Sequence, residues 1–91
     1  MSWEVRYKPT FLKELSRLPP EIRAKVEEFV FQILPKTSNP YAEKGVKKLT
    51  GFRAYYKVRF GDYRLELIDK QAKTVECCRI LHRKDLYRYF P

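Results

Sequence analysis

The feature that most constrains this 91-residue chain is a change of hydrophobic period near its middle. Up to Pro35 the apolar residues recur at helical spacing. Phe11, Leu12, Leu15 and Leu18 share one helical face, and Ile22, Val26, Phe29, Val30 and Ile33 share another. From Val46 onward the period drops to two: Tyr56, Val58 and Phe60 alternate with Tyr55, Lys57 and Arg59, then Tyr63, Leu65 and Leu67 with Arg64, Glu66 and Ile68. Gly61-Asp62 between these runs is a hairpin signal, because glycine accepts positive φ. A helical period cannot settle as a strand, nor the reverse. The chain must therefore pack helices from its first half onto a sheet from its second.

The remaining punctuation fits that plan. Trp3 to Tyr7 alternates as a short first strand, and Pro9 stands where a helix's first turn tolerates proline. Pro19-Pro20 ends one helix and starts the next, with Glu21 in its first turn facing the positive end of the dipole. That second helix is expected to stop at Pro35. Thr37 to Gly45, with Asn39-Pro40, reads as a loop, and Asp69 to Lys73 as a break before a last strand, Thr74 to Leu81. The expected fold class is α+β, an N-terminal strand and αα-hairpin packed on a curved antiparallel sheet, with residues 1–91 forming a single domain.

Cysteine and apolar usage narrow the setting. Cys77 and Cys78 are sequence neighbours, on opposite faces of an extended strand and only ~3.8 Å apart at Cα, below the usual span of a disulfide. They are expected to be core thiols in a reducing compartment. A single histidine, His82, and no spaced cysteine pair leave no expected metal site. No apolar run is long enough for a membrane span, and none follows Met-Ser-Trp-Glu as a leader would require, so the expected location is cytoplasmic.

The charge is lopsided. The net +9 comes almost wholly from residues 44–91, where thirteen basic side chains face five acidic ones, against seven and six in residues 1–43. A solvated basic surface is the plain reading. Alternation sharpens it: with Tyr56, Val58, Phe60, Leu65 and Leu67 turned to the helices, Lys57, Arg59 and Arg64 share the opposite face. Arg79 and Arg83 join them if the last strand keeps its parity, with Cys78 and Ile80 turned inward. Such a cluster is self-repelling unless a polyanion neutralises it. Arginine suits bidentate phosphate contacts and lysine a movable point charge. Tyr55, Tyr87 and Tyr89 offer rings for unstacked bases. With no histidine pair, carboxylate cluster or glycine-rich phosphate loop, RNA cleavage on this face would use the substrate's own 2′-hydroxyl. Lys57 beside arginines is the expected base, since neighbouring positive charge favours its neutral form. His82 is a candidate for proton transfer or simply a strand-end histidine.

These residues carry a resemblance. Lys48-Leu-Thr-Gly51, Tyr56-Lys-Val-Arg-Phe-Gly-Asp-Tyr-Arg64 and Ile80-Leu-His-Arg-Lys-Asp-Leu-Tyr87, preceded by Lys13-Glu-Leu15 and Leu18-Pro-Pro-Glu-Ile-Arg23, resemble the RelE/ParE toxin superfamily over essentially the whole chain. In its RelE branch the resemblance implies a type II toxin, a ribosome-dependent, metal-independent endoribonuclease that cleaves mRNA and stops translation without a cofactor. It implies Lys57 as base, Arg59 as a second cation, and Arg64 as the transition-state stabiliser. Arg83 would be the acid or electrostatic aid, Tyr87 the group that stacks on the nucleotide, with His82 sharing proton transfer. Lys48, Arg53, Tyr55 and Arg79 are the expected further RNA contacts. Partners implied are a cognate antitoxin, the ribosome and mRNA, and operator DNA through the antitoxin complex alone. The alternative is a ParE-like protein that poisons DNA gyrase by binding, without nuclease chemistry. Arg59 departs from relatives that carry a second lysine, keeping charge but not proton chemistry.

Overall fold

A computed structural model describes residues 3–49 and 54–85. Five strands form one sheet in the order β1-β5-β4-β3-β2, comprising β1 (Glu4–Tyr7), β2 (Val46–Lys48), β3 (Tyr55–Phe60), β4 (Tyr63–Gln71) and β5 (Thr74–His82). β2 to β5 pair antiparallel. β1 does not: it pairs parallel with β5, Val5 against Val75 and Tyr7 against Cys77. The intervening helices carry the chain across the sheet, so β1 and β2 end on opposite edges and the closing strand docks beside β1.

Helices α1 (Pro9–Ser16) and α2 (Pro20–Glu27) each begin on a proline, whose missing N–H costs nothing in a first turn. Phe11, Leu15 and Leu18 meet Val26, Phe29, Val30 and Leu34, and both sets close over Val58, Leu65, Leu67, Val75, Cys77 and Ile80. Burying a large aliphatic or aromatic side chain contributes roughly 1.5–3 kcal/mol, so this single cluster is the main source of stability. Two members of the expected helical faces lie elsewhere. Leu12 is 43% exposed, and Ile33 is 37% exposed while Leu34 is fully buried.

The Ile33–Leu34 exchange has a local cause. The helix does not stop before Pro35; it passes through a π-helical segment, Glu28–Ile33, and ends as a short α3, Leu34–Lys36. One wide turn advances the buried face by a residue, from 33 to 34. In this wider register the Leu34 amide donates to the Phe29 carbonyl. The next donor would serve Val30, but it is Pro35, which has none. The Tyr7 hydroxyl donates to the Val30 carbonyl instead, at 2.6 Å.

Two turns frame the central strands. Gly61 sits at φ +60 in the β3–β4 hairpin, where a Cβ would also approach Ile22 Cδ1 at 3.3 Å. The β4–β5 connection is shorter than the expected break: β4 runs to Gln71, and the chain reverses at Ala72 and Lys73, with φ +52 and +55. Tight hairpins require that left-handed geometry, and here non-glycine residues supply it. Within β5 a bulge puts Arg79 opposite Glu66 but Cys77 opposite Leu67, leaving Cys78 unpaired. Cys77 therefore joins the core cluster together with Ile80, whereas Cys78, expected there, is buried outside it. Burial pushes both thiols up, Cys78 to about 11, so neither is a ready thiolate.

Candidate functional site

The sheet face away from the helices is where the charge collects. In the β3–β4 hairpin, Arg59 stands directly opposite Arg64; on the other side of β3, Lys57 stands directly opposite Lys47. Side chains so paired have Cβ atoms about 4.5–5.5 Å apart, and like charges there destabilise. Two such pairs side by side line one cleft of about 280 Å³ with Gly45. A second, smaller hollow continues from it, lined by Arg59, Arg64, Gly61, Asp62 and Arg83. Arg83 is held there by its own backbone: its amide donates to the Asp62 carbonyl at 2.7 Å, while its guanidinium lies 3.9 Å from the Asp62 carboxylate in an exposed pair. Five cations thus share a continuous surface, namely Lys47, Lys57, Arg59, Arg64 and Arg83.

Beneath them lies a residue that sequence reasoning passed over. Glu66 on β4 is fully buried, in register between Lys57 on β3 and Arg79 on β5, and neither carboxylate oxygen has a hydrogen-bond partner among the described residues. Burial pushes its carboxyl up to about 7, against the opposing pull of Arg64 and Lys57. The available signal was an acid standing mid-strand on the polar side of Arg64-Leu-Glu-Leu67. Lys47 was missed too, and its alternation with Val46 and Lys48 was the clue.

Not every expected site residue gathers here. Arg79 is bound elsewhere: Nε and Nη2 donate to Glu14 Oε2 at 2.9 and 2.5 Å, and the Ile80 amide donates to Glu14 Oε1 at 3.0 Å. β1 pairing ends at Cys77, so α1 reaches the bare edge of β5 and Glu14 takes both donors. His82 pairs with Tyr63, ring edge to face at 5.2 Å, on the helix side of the sheet. There it lines a separate groove of about 380 Å³ with Glu14, Arg17, Leu18 and Tyr63. Its Nδ1 accepts the Lys84 amide at 3.2 Å. Lys48 falls opposite Tyr56, hence on the side away from Lys57. Tyr55 keeps the cation-face parity, opposite Ile68, outside the cleft lining. Arg53 and Tyr87 lie outside the described residues. Among the described residues no three His, Cys, Asp or Glu side chains converge as metal ligands, and no helix is long and apolar enough to cross a membrane.

A helix pair over a five-stranded sheet whose open face concentrates like-charged cation pairs defines a small basic α+β protein. Residues 5–87 match the family described as the ParE toxin of the type II toxin–antitoxin system parDE. The chain belongs to this family, within the RelE/ParE superfamily of type II toxins. It is 33% identical to Toxin RelE3 of Methanocaldococcus jannaschii over 88 residues, covering 97% of this chain and 99% of the relative. It is 36% identical to Toxin RelG of Mycobacterium tuberculosis over 89 residues, with the same coverage. The toxin of the RelB–RelE complex from Methanococcus jannaschii superposes with a TM-score of 0.80 at 29% identity, covering 94% of this chain and 99% of that one. Isolated RelE of E. coli, in one crystal form, shares the fold at 18% identity, with a TM-score of 0.68 and coverage of 96% and 98%.

Proposed function

We propose that this toxin is a ribosome-dependent mRNA endoribonuclease. The observation that supports it best is the pair of like-charge cross-strand contacts, Arg59–Arg64 and Lys47–Lys57, lining one cleft. Each costs stability in the free protein, and a phosphodiester with its developing phosphorane charge offsets that cost. On this reading Lys57 accepts the 2′-hydroxyl proton. Arg64 and Arg59 stabilise the pentacovalent phosphate, and Arg83 at the mouth neutralises or protonates the leaving 5′-oxygen. Tyr87 would stack on a base. His82, on the far side of the sheet, has no part in this scheme. The message, presented by the ribosome, is the substrate, and a cognate antitoxin is the partner. The solved relatives from Methanococcus jannaschii and Mycobacterium tuberculosis are toxin–antitoxin complexes. An acidic segment that folds on contact suits a +9 surface.

The test is to add the toxin to ribosomes programmed with end-labelled message and map cuts by primer extension. Discrete cuts that disappear in Arg64→Ala support the proposal; intact message beside arrested growth overturns it. The matching family's description, a ParE toxin, favours a second reading, inhibition of DNA gyrase by binding. Purified gyrase assayed for supercoiling separates the two, since a gyrase poison blocks it and leaves message whole.

A further inference from the structure

Among the described residues Glu66 is the one fully buried acid, and the scheme above gives it no task. Its surroundings are strongly asymmetric. Lys57 and Tyr55 face it from β3, Arg64 from its own strand, and Arg79, Cys78 and Glu76 from β5. The β5 cation that register places opposite it, Arg79, spends Nε and Nη2 on Glu14. What compensates the Glu66 charge is thus Lys57 and Arg64, the same two groups that line the cleft a phosphate would enter.

We infer that Glu66 takes up a proton when a phosphodiester occupies the cleft, so that RNA binding by this toxin is proton-linked. An incoming phosphate draws on Lys57 and Arg64 and brings its own negative charge beside a fully buried carboxylate that has no hydrogen-bond donor. Buried ionised carboxylates without partners are costly, and the cheapest relief is neutralisation. The proton comes from solvent and resides on a Glu66 oxygen. Cleft occupancy and Glu66 ionisation therefore exclude one another, and each weakens as the other strengthens. The carboxyl's position near neutrality in the empty protein puts the effect within the physiological range.

The inference rests on the reading of this cleft as an RNA-phosphate site, and one titration separates the two. The probe is a 2′-O-methyl RNA oligonucleotide without terminal phosphates, which cannot be cut by 2′-hydroxyl attack and has no phosphate titrating near neutrality. Binding to the full chain is measured by calorimetry at low salt between pH 6 and 8.5, in buffers of differing ionisation enthalpy. The expected result is uptake of about half a proton at pH 7, rising toward one by pH 8, with affinity falling up to tenfold per pH unit above 7. Glu66→Gln removes the uptake and flattens the profile. Carbon-13 NMR of the wild-type glutamate carboxyls locates the proton independently of that variant's folding, as a titration near neutrality that moves upward with oligonucleotide. Binding without Glu66-dependent uptake overturns the inference and leaves the cleft reading intact. Absence of binding at low salt overturns both.

Discussion

Arg59 and Arg64 face each other across the β3–β4 hairpin, and among the described residues no acid joins them in lining the cleft they share with Lys47 and Lys57. Replacing Arg64 by Ala relieves that repulsion but also removes a charge that compensates Glu66, so near pH 5, where Glu66 holds its proton, the variant is expected to match or exceed the wild type in thermal stability by up to ~1 kcal/mol. On the proposed function Arg64 is a transition-state cation, and its loss is expected to lower ribosome-dependent cleavage on the order of 10²-fold or more. Melting curves and primer extension on one preparation check both. A variant that loses activity because it unfolds would remove the functional reading of the pair.

Glu66 makes stability depend on pH. Its carboxyl is raised in the folded chain to about 7, from an ordinary value of 4.5. A raised acid holds its proton longer when folded, so the stability it allows is complete below about 4.5 and is lost as pH rises to 7. At 1.36 kcal/mol per unit, the loss is on the order of 3 kcal/mol. Glu66→Gln is expected to melt higher than wild type at pH 8, with the advantage vanishing near pH 4. Parallel melting curves across that range would refute this reading.

The β4–β5 turn carries avoidable strain. Ala72 and Lys73 occupy left-handed backbone at φ +52 and +55, a geometry favoured by Asn-Gly. The double change Ala72→Asn, Lys73→Gly is expected to stabilise the fold by about 1–2 kcal/mol, as a rise in denaturation midpoint. The turn lies at the opposite end of β4 from Arg64, so message cleavage is expected to be unchanged.

The Tyr7 hydroxyl has a defined role that Phe cannot fill. Tyr7→Phe leaves the Val30 carbonyl without the donor that Pro35 also fails to give, at an expected cost of about 1–3 kcal/mol. Adding Pro35→Ala restores an amide to the π-helical register, and recovery of part of that loss in the double variant, measured by urea denaturation, checks the pairing.

Much of this architecture was legible because period two is unambiguous. Tyr56, Val58, Phe60, Leu65 and Leu67 are all on the helix side, which fixed Lys57, Arg59 and Arg64 on the other. What was hidden arises where one residue is added to a repeating pattern. The wide turn at Glu28–Ile33 exchanges Ile33 for Leu34, and the bulge at Cys78 brings Cys77 inward. Neither insertion has a local signature in residue type, because each is decided by packing against the rest of the molecule. The engagement of Arg79 by Glu14 was hidden for a different reason: the two are sixty-five residues apart and no spacing rule connects them. Glu66 was overlooked because an acid on a polar strand face reads as solvated until burial is known.

The Glu14 contact has a further consequence for the free molecule. Past Tyr7 no strand among the described residues pairs with the outer side of β5, and backbone amides left unpaired there would be a template for strands of other chains. By accepting the Ile80 amide, the Glu14 carboxylate occupies the donor such an intruder would need first. The free protein thereby has one seam closed against strand addition, using a helix side chain as the stopper.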